Sequence, residues 1–347
     1  CKLVDGLPLA IEIAAAWKAA LTPAQVGDEI VRNLDFLTSN RRDLPERHRG
    51  IRALLDYTWH SLRPDERNVL MRLAVFRSGF DLKASEAVTG GGGAILTSFV
   101  DKSLVRHDNE SRFVMHELMR RYAYRRLSQA SDAGIIHSSH CIYYLDWLRE
   151  HHATDDYATF YEQVDADYDN IRQALNWCKS TNDKITLMGF CDELHEYWLA
   201  RDRISEGYMW LLFAAGETSE LPRSGAQAHI FQALGRFGVR LAKFDVAKPL
   251  FERSMAYFAE HNPNGSGYYR AHNNLGALAL YTGDFEGGRD HFQKTFELAS
   301  EDGNVRFITL ALKHLGQTHL ILGDYVSAEG ELMQELEFKR TAERILC

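Results

Sequence analysis

Apolar and polar positions alternate along this chain with the period of a helix for most of its length, and with the period of a strand in one short stretch. Residues 5–20 follow an Asp-Gly-Leu-Pro opening with apolar positions at Leu9, Ile13, Ala16 and Ala20, which predicts a helix with proline in its first turn. A second helix is predicted over about 23–36, and the polar string TSNRRDLPERHRG, with Pro45, marks a connector. From residue 50, IRALLDYTWHSL and RPDERNVLMRLAVF read as two helices, the second opened by Pro64 with Asp65 and Glu66 favourable in its first turn. A short helix is predicted at about 82–88; TGGGG then reads as a flexible connector, and AILTSFVDKSL is helical again.

The runs SLVRH and RFVMH, joined by DNES, alternate with a period of two and predict a hairpin. Short helices closed by a hairpin make a winged helix. Beyond it, amphipathic helices are predicted at about 117–130, 135–150, 157–178, 184–200 and 205–215.

The last third repeats itself. ALGRFGVRLAKFDVAKPLF, NLGALALYTGDFEGGRDHF and HLGQTHLILGDYVSAEGEL align without gaps, with periods of 41 and 40. Gly235, Gly276 and Gly316 are expected where helices approach closely. Phe244, Phe285 and Tyr325 are expected to act as aromatic plugs, and Ala247, Gly288 and Ala328 as small contact residues. This order resembles the tetratricopeptide repeat, whose helix pairs must stack into a curved solenoid to bury their apolar faces, leaving a concave binding surface.

The expected architecture is therefore mainly α. ARC-like helices span 1–45, a winged-helix domain with a small β-hairpin 46–130, a helical bridge 131–222, and a tetratricopeptide-like α-solenoid 223–347. A hydrophobic content of 45% with 25% charged residues fits a chain that buries real cores, and a net charge of −8 supplies no global field for nucleic acid. The five cysteines lack CxxC spacing, which fits reduced thiols and a cytoplasmic protein, and no stretch is apolar enough to span a membrane. A start inside a helical pattern without methionine suggests part of something longer.

The motifs that imitate active sites fail on spacing. His116 and Glu117 open like a zinc-protease helix, yet Arg120 stands where the second histidine is needed. His137, His140 and Cys141 lack a fourth ligand and read as a polar helix start. Asp165 to Asn170, DADYDN, imitates half a calcium loop without its glycine or bidentate glutamate, and is expected to begin a helix. There is no GxxxxGK[ST], so TGGGG is not a phosphate loop, and no acid-base pair or nucleophile elbow is evident. No catalytic or metal site is expected. Two basic clusters, Arg41, Arg42, Arg47, Arg49 and Arg52, then Arg120, Arg121, Arg125 and Arg126, would allow DNA phosphate contacts. AILTSFVDKSL, the segment that would be the recognition helix, is largely apolar and looks built for protein packing.

GLPLA (6–10), RRDLPERHRGIRALLDYTWHSL (41–62), RLAVFRSGFDL (72–82), FVDKSLV (99–105), MHELMRRYA (115–123) and DYDNIRQALNW (167–177) together resemble the bacterial signal-transducing (STAND) ATPases of the NB-ARC type. These are often built as AfsR-like or LuxR-type transcriptional regulators. The resemblance implies an upstream ATPase domain, closure over ADP by the Gly-Leu-Pro and Met-His-Asp motifs, and self-association on activation. Carried over by position, Pro8 packs near adenine and His116 meets the β-phosphate; Glu117 stands where that family has aspartate.

ADP or ATP is thus expected only in the full-length protein, with no enzymatic activity in these residues alone. A protein or small-molecule ligand is expected on the repeats, and transcriptional control as output. A constitutive repeat scaffold and a winged-helix DNA-binding protein are the alternatives.

Overall fold

The computed structural model describes residues 21–32, 51–108, 112–152 and 156–346, with 11, 14 and 15. The described residues form sixteen helices and one two-stranded sheet, and they fall into two compact units, 1–180 and 181–347. Pro8, most of the helix predicted over 5–20 and the connector arginines Arg41, Arg42, Arg47 and Arg49 lie outside them.

The first unit contains α1 (Pro23–Arg32), α2 (Ile51–Ser61), α3 (Pro64–Leu73), α4 (Leu82–Thr89), α5 (Gly93–Asp101), β1 (Val105–His107), β2 (Phe113–Met115), α6 (Glu117–Leu127), α7 (Ala133–His152) and α8 (Tyr157–Thr181). Local chemistry sets the boundaries. Pro64 opens α3, and the Glu66 carboxylate takes the Arg63 backbone N–H at 3.0 Å, satisfying a donor that the helix leaves free. Asp81 caps α4 by accepting from the Ala84 N–H at 2.7 Å, and Gly90 ends it at φ 74°. The hairpin pairs Val105 with Met115 and His107 with Phe113, and Phe80 extends it by exchanging backbone bonds with Phe113 at 2.9 and 2.8 Å.

Three local expectations change. The glycine run is packed at one position and ordered by caps at others: a Cβ on Gly91 would lie 2.5 Å from Val69, Gly90 ends α4 and Gly92 caps α5, while Gly90 and Gly93 have open space around them. Helix α5 stops at Asp101 because Ser103 adopts φ 55°, so DKSL leaves the helix and feeds β1. Asp165–Asn170 lies inside α8 rather than at a helix start; Asp156 caps that helix, accepting from the Thr159 N–H at 3.1 Å.

Glu66 is fully buried, with Lys102 reaching it at 2.5 Å and the Ser98 hydroxyl donating to it at 2.8 Å. The Lys102 hydrogen bond leads in holding its carboxyl well below the ordinary 4.5, down to about 2. A depressed folded-state pKa contributes stability that is full above about pH 4.5 and is lost as pH falls toward 2. Glu66→Gln should therefore flatten the acid limb of a stability–pH profile across that window; an unchanged slope would rule the pair out as an acid-sensitive contact.

The second unit is an array of helix pairs: α9 (Lys184–Ala200) with α10 (Ile204–Ala215), α11 (Gly225–Arg240) with α12 (Phe244–His261), α13 (Ser266–Thr282) with α14 (Phe285–Glu301), and α15 (Val305–Leu322) with α16 (Tyr325–Leu346). The tetratricopeptide-like stacking read from the repeats is present, with the anchor glycines where helices meet. A Cβ on Gly235 would lie 2.4 Å from the Phe251 ring, one on Gly276 2.7 Å from Phe292, and one on Gly316 2.7 Å from Leu332. Ala247, Gly288 and Ala328 are buried at the second contact. The aromatic plug fails in the last pair, where Tyr325 is 70% exposed.

The α9–α10 pair matches the register of the other three. Leu194 corresponds to Leu234, Leu275 and Leu315, all buried. Asp202 (φ 53°) corresponds to Ala242 (φ 55°), Gly283 (φ 84°) and Gly323 (φ 82°) in the left-handed turn between helices. The array thus runs one pair further toward the N-terminus than the aligned repeats, with His195 in the place of the anchor glycine.

Candidate functional site

His116 occupies the step from β2 into α6. Met115 is buried as the strand ends, and His116 becomes the helix N-cap, its Nδ1 accepting from the Leu118 N–H at 3.3 Å. An Nδ1 that accepts leaves the ring hydrogen on Nε2, so the imidazole is held as a donor beside the N-terminus of a helix. Such a terminus favours an anion through its dipole and its free backbone donors.

The neighbouring carboxylate does not cancel this. Glu117 is held by Arg120 through two bonds of 2.8 Å, so the residue that spoils the zinc motif is the partner of Glu117. His116 thus caps the helix that follows the hairpin, with its Nε2 turned away from solvent. Pro8, its expected counterpart across the nucleotide, is outside the described residues.

Behind this junction the first unit is tied together by a polar hub that local sequence patterns do not single out. Arg112, at the entry to β2, donates to both oxygens of Asp167 at 2.8 and 2.6 Å and to the Gly79 carbonyl at 2.6 Å. Tyr144 donates to Asp167 at 2.9 Å. Asn170, one turn along α8, donates to Asp167 and accepts the backbone N–H groups of Arg77 and Ser78 at 2.7 and 3.2 Å. Burial and the Asp167 charge push the Tyr144 phenol well above its usual range, while the Asp167 hydrogen bonds raise Arg112 further. The hub fixes the 76–80 loop and the hairpin onto α7 and α8. One trace of it was visible: Asp167 and Asn170 share a helix face with the apolar residues Val164, Ile171 and Ala174.

The remaining candidates belong to the core or to ion pairs. His137 stacks on Trp177 at 4.3 Å, and Cys141 donates weakly to the Ala174 carbonyl at 3.5 Å. His140 is buried against Phe76 and Tyr144, which pushes its pKa down to about 3. HSSHC is therefore a buried face of α7, not a polar helix start.

Among the described basic residues, Arg120 is paired with Glu117. Arg126 lies over the Trp59 and Tyr122 rings and contacts Asp56. On α5, Leu96 and Phe99 are buried, and Lys102 just beyond it is taken by Glu66.

Among the described residues no helix is long and apolar enough to cross a membrane, and no group of three or more His, Cys, Asp or Glu is arranged to hold a metal ion.

No family model matches the chain. A Mycobacterium bovis protein named as an HTH-type transcriptional regulator is 30% identical over 222 residues, 60% of this chain and 25% of that protein. An uncharacterized Mycobacterium tuberculosis protein is 30% identical over 147 residues, 39% of this chain and 37% of its own length. The chain thus spans about a quarter of the length of the regulator it matches. Among solved structures, a Signal Transduction ATPase with Numerous Domains (STAND) from Pyrococcus horikoshii, bearing a tetratricopeptide repeat sensor, superposes with a TM-score of 0.50 at 13% identity. The match covers 96% of this chain and 53% of that chain. This chain is similar in fold to that protein, and similar in sequence to a segment of an HTH-type regulator.

Proposed function

We propose that this chain is the regulatory and sensing portion of a STAND-type nucleotide-switch ATPase that controls transcription. The observation that carries the reading is the position of His116, a donor imidazole at a helix N-terminus directly after a hairpin. Likeness of fold to a STAND protein with a repeat sensor and of sequence to a transcriptional regulator supports it. In this reading residues 46–130 act as a winged helix that holds the ADP-bound closed state through His116, with Pro8 beside adenine and the phosphate loop on an upstream ATPase domain. A ligand on the helix-pair array favours the open, self-associating state by binding it more tightly.

The paired arginines and the apolar face of α5 weigh against direct DNA binding by these residues. A constitutive scaffold is separated from the switch by a pull-down on the protein that includes the ATPase domain. Partner recovery by the helix-pair array should differ at least about fivefold between ADP and a non-hydrolysable ATP analogue, as a coupling of roughly 1 kcal/mol requires. Equal recovery in both nucleotides would select the scaffold.

A further inference from the structure

The helix pairs of the second unit are curved in a definable direction. First helices pack on one another in succession, α9 on α11, α11 on α13 and α13 on α15, whereas the second helices do not meet in this way. The side on which helices converge is the inner side, so α11, α13 and α15 line it.

We propose that this inner face binds a ligand through an oxyanion group, with Arg270 as its principal contact; the proposal rests on the sensor reading above and gives the ligand a chemical class. Arg270, in the first turns of α13, is half-buried. Its Nε is shut from solvent without a hydrogen bond, and no carboxylate of the described residues lies within 4.0 Å of it. Three other half-buried arginines each hold a carboxylate: Arg236 with Glu196 at 2.7 Å, Arg72 with Asp132 at 2.8 Å, and Arg112 with Asp167.

A guanidinium taken from water without a partner is costly, and its planar fork of donors fits two oxygens of a carboxylate or phosphate. Arg270 is also oriented, lying over the Phe307 ring with its Cζ 5.6 Å from the centroid.

Among the other nitrogens left without partners on the same helices are those of Asn274 and His229. Asn274, one turn after Arg270, has a buried Nδ2 with no hydrogen bond. His229, which holds the Arg270 position one repeat earlier, has a buried Nδ1 in the same condition. Burial, followed by the Arg270 charge, lowers the His229 pKa, so it is a neutral group able to share a hydrogen bond.

Burial first, then the Arg236 and Arg306 charges, lower the Arg270 pKa, against smaller opposing effects of Asp192 and Glu196. Glu196 is bound by Arg236, and Arg306 is exposed at the start of α15.

The test is calorimetric titration of the 347-residue chain with inorganic phosphate and, separately, with succinate, at ionic strength fixed with chloride. Saturable one-to-one binding of at least one anion is expected, and the tighter of the two tells a phosphoryl from a carboxyl ligand. Arg270→Met should weaken that binding by about tenfold to a hundredfold. Without anion it should leave the melting temperature equal or higher, since it removes an uncompensated charge. If that variant melts lower, the exposed Arg306→Gln carries the comparison, with binding about threefold weaker expected. Binding that never saturates, or affinity unchanged in these variants, overturns the site while leaving the nucleotide switch untouched. Anion binding that fails to alter nucleotide exchange in the longer protein overturns the switch and leaves the site standing.

Discussion

Asp167→Ala should cost the first unit about 3–5 kcal/mol of unfolding free energy, the penalty for stranding a buried charge. The guanidinium of Arg112 would lose both bonds to the carboxylate and keep only the Gly79 carbonyl, while Tyr144 and Asn170 would each lose an acceptor. The damage should exceed that of replacing both charges: Arg112→Met with Asp167→Leu leaves no unpaired ion and should be milder than either truncation alone. Urea unfolding of Asp167→Ala, Arg112→Met and the double variant checks this. A loss under about 1 kcal/mol for Asp167→Ala would place the pair among ordinary surface contacts and remove the hub as the tie between hairpin and helices.

Gly235→Val should destabilise the helix-pair array by about 3 kcal/mol or more, at the upper end of what overpacking costs. Even a lone Cβ there would sit 2.4 Å from the Phe251 ring, and Phe251 is itself buried between helices with no room to rotate away. The control is Gly330→Ala, in α16, where an added Cβ meets nothing within 4 Å. That change should stabilise by about 0.5–1 kcal/mol, since alanine is the better helix former. Thermal unfolding that moved both variants in the same direction would show that close packing does not fix the glycine.

What could be read from the sequence follows from range. Helix periods, proline and aspartate at helix starts, and the alternation of RFVM are local, and the elements they predict within the described residues are present. The repeats were legible because the same contact recurs every 40 or 41 residues with the same side chains. In the α9–α10 pair His195 stands at the anchor position, so the repeat signal is lost although the turn at Asp202 is kept.

Asp167 and Asn170 were hidden for a different reason. Their partners Arg112, Tyr144 and the 76–80 loop are far away along the chain, so the acids looked like a calcium loop or a helix start when only neighbours were considered. The role of Tyr325 was over-extended from its equivalents, because the plug needs a following surface that the described residues do not bring to it. For His116, spacing excluded zinc and the strand-to-helix step located it at an N-cap; its partnership with the nucleotide rests on the resemblance.

The central claim is that this chain closes a nucleotide site through His116. It is tested most directly by the ADP affinity of a longer protein that carries the proposed ATPase domain, with and without His116→Ala. Loss of one hydrogen bond to a charged phosphate should weaken ADP binding by roughly tenfold to a hundredfold. Equal affinity in the two proteins would contradict the account.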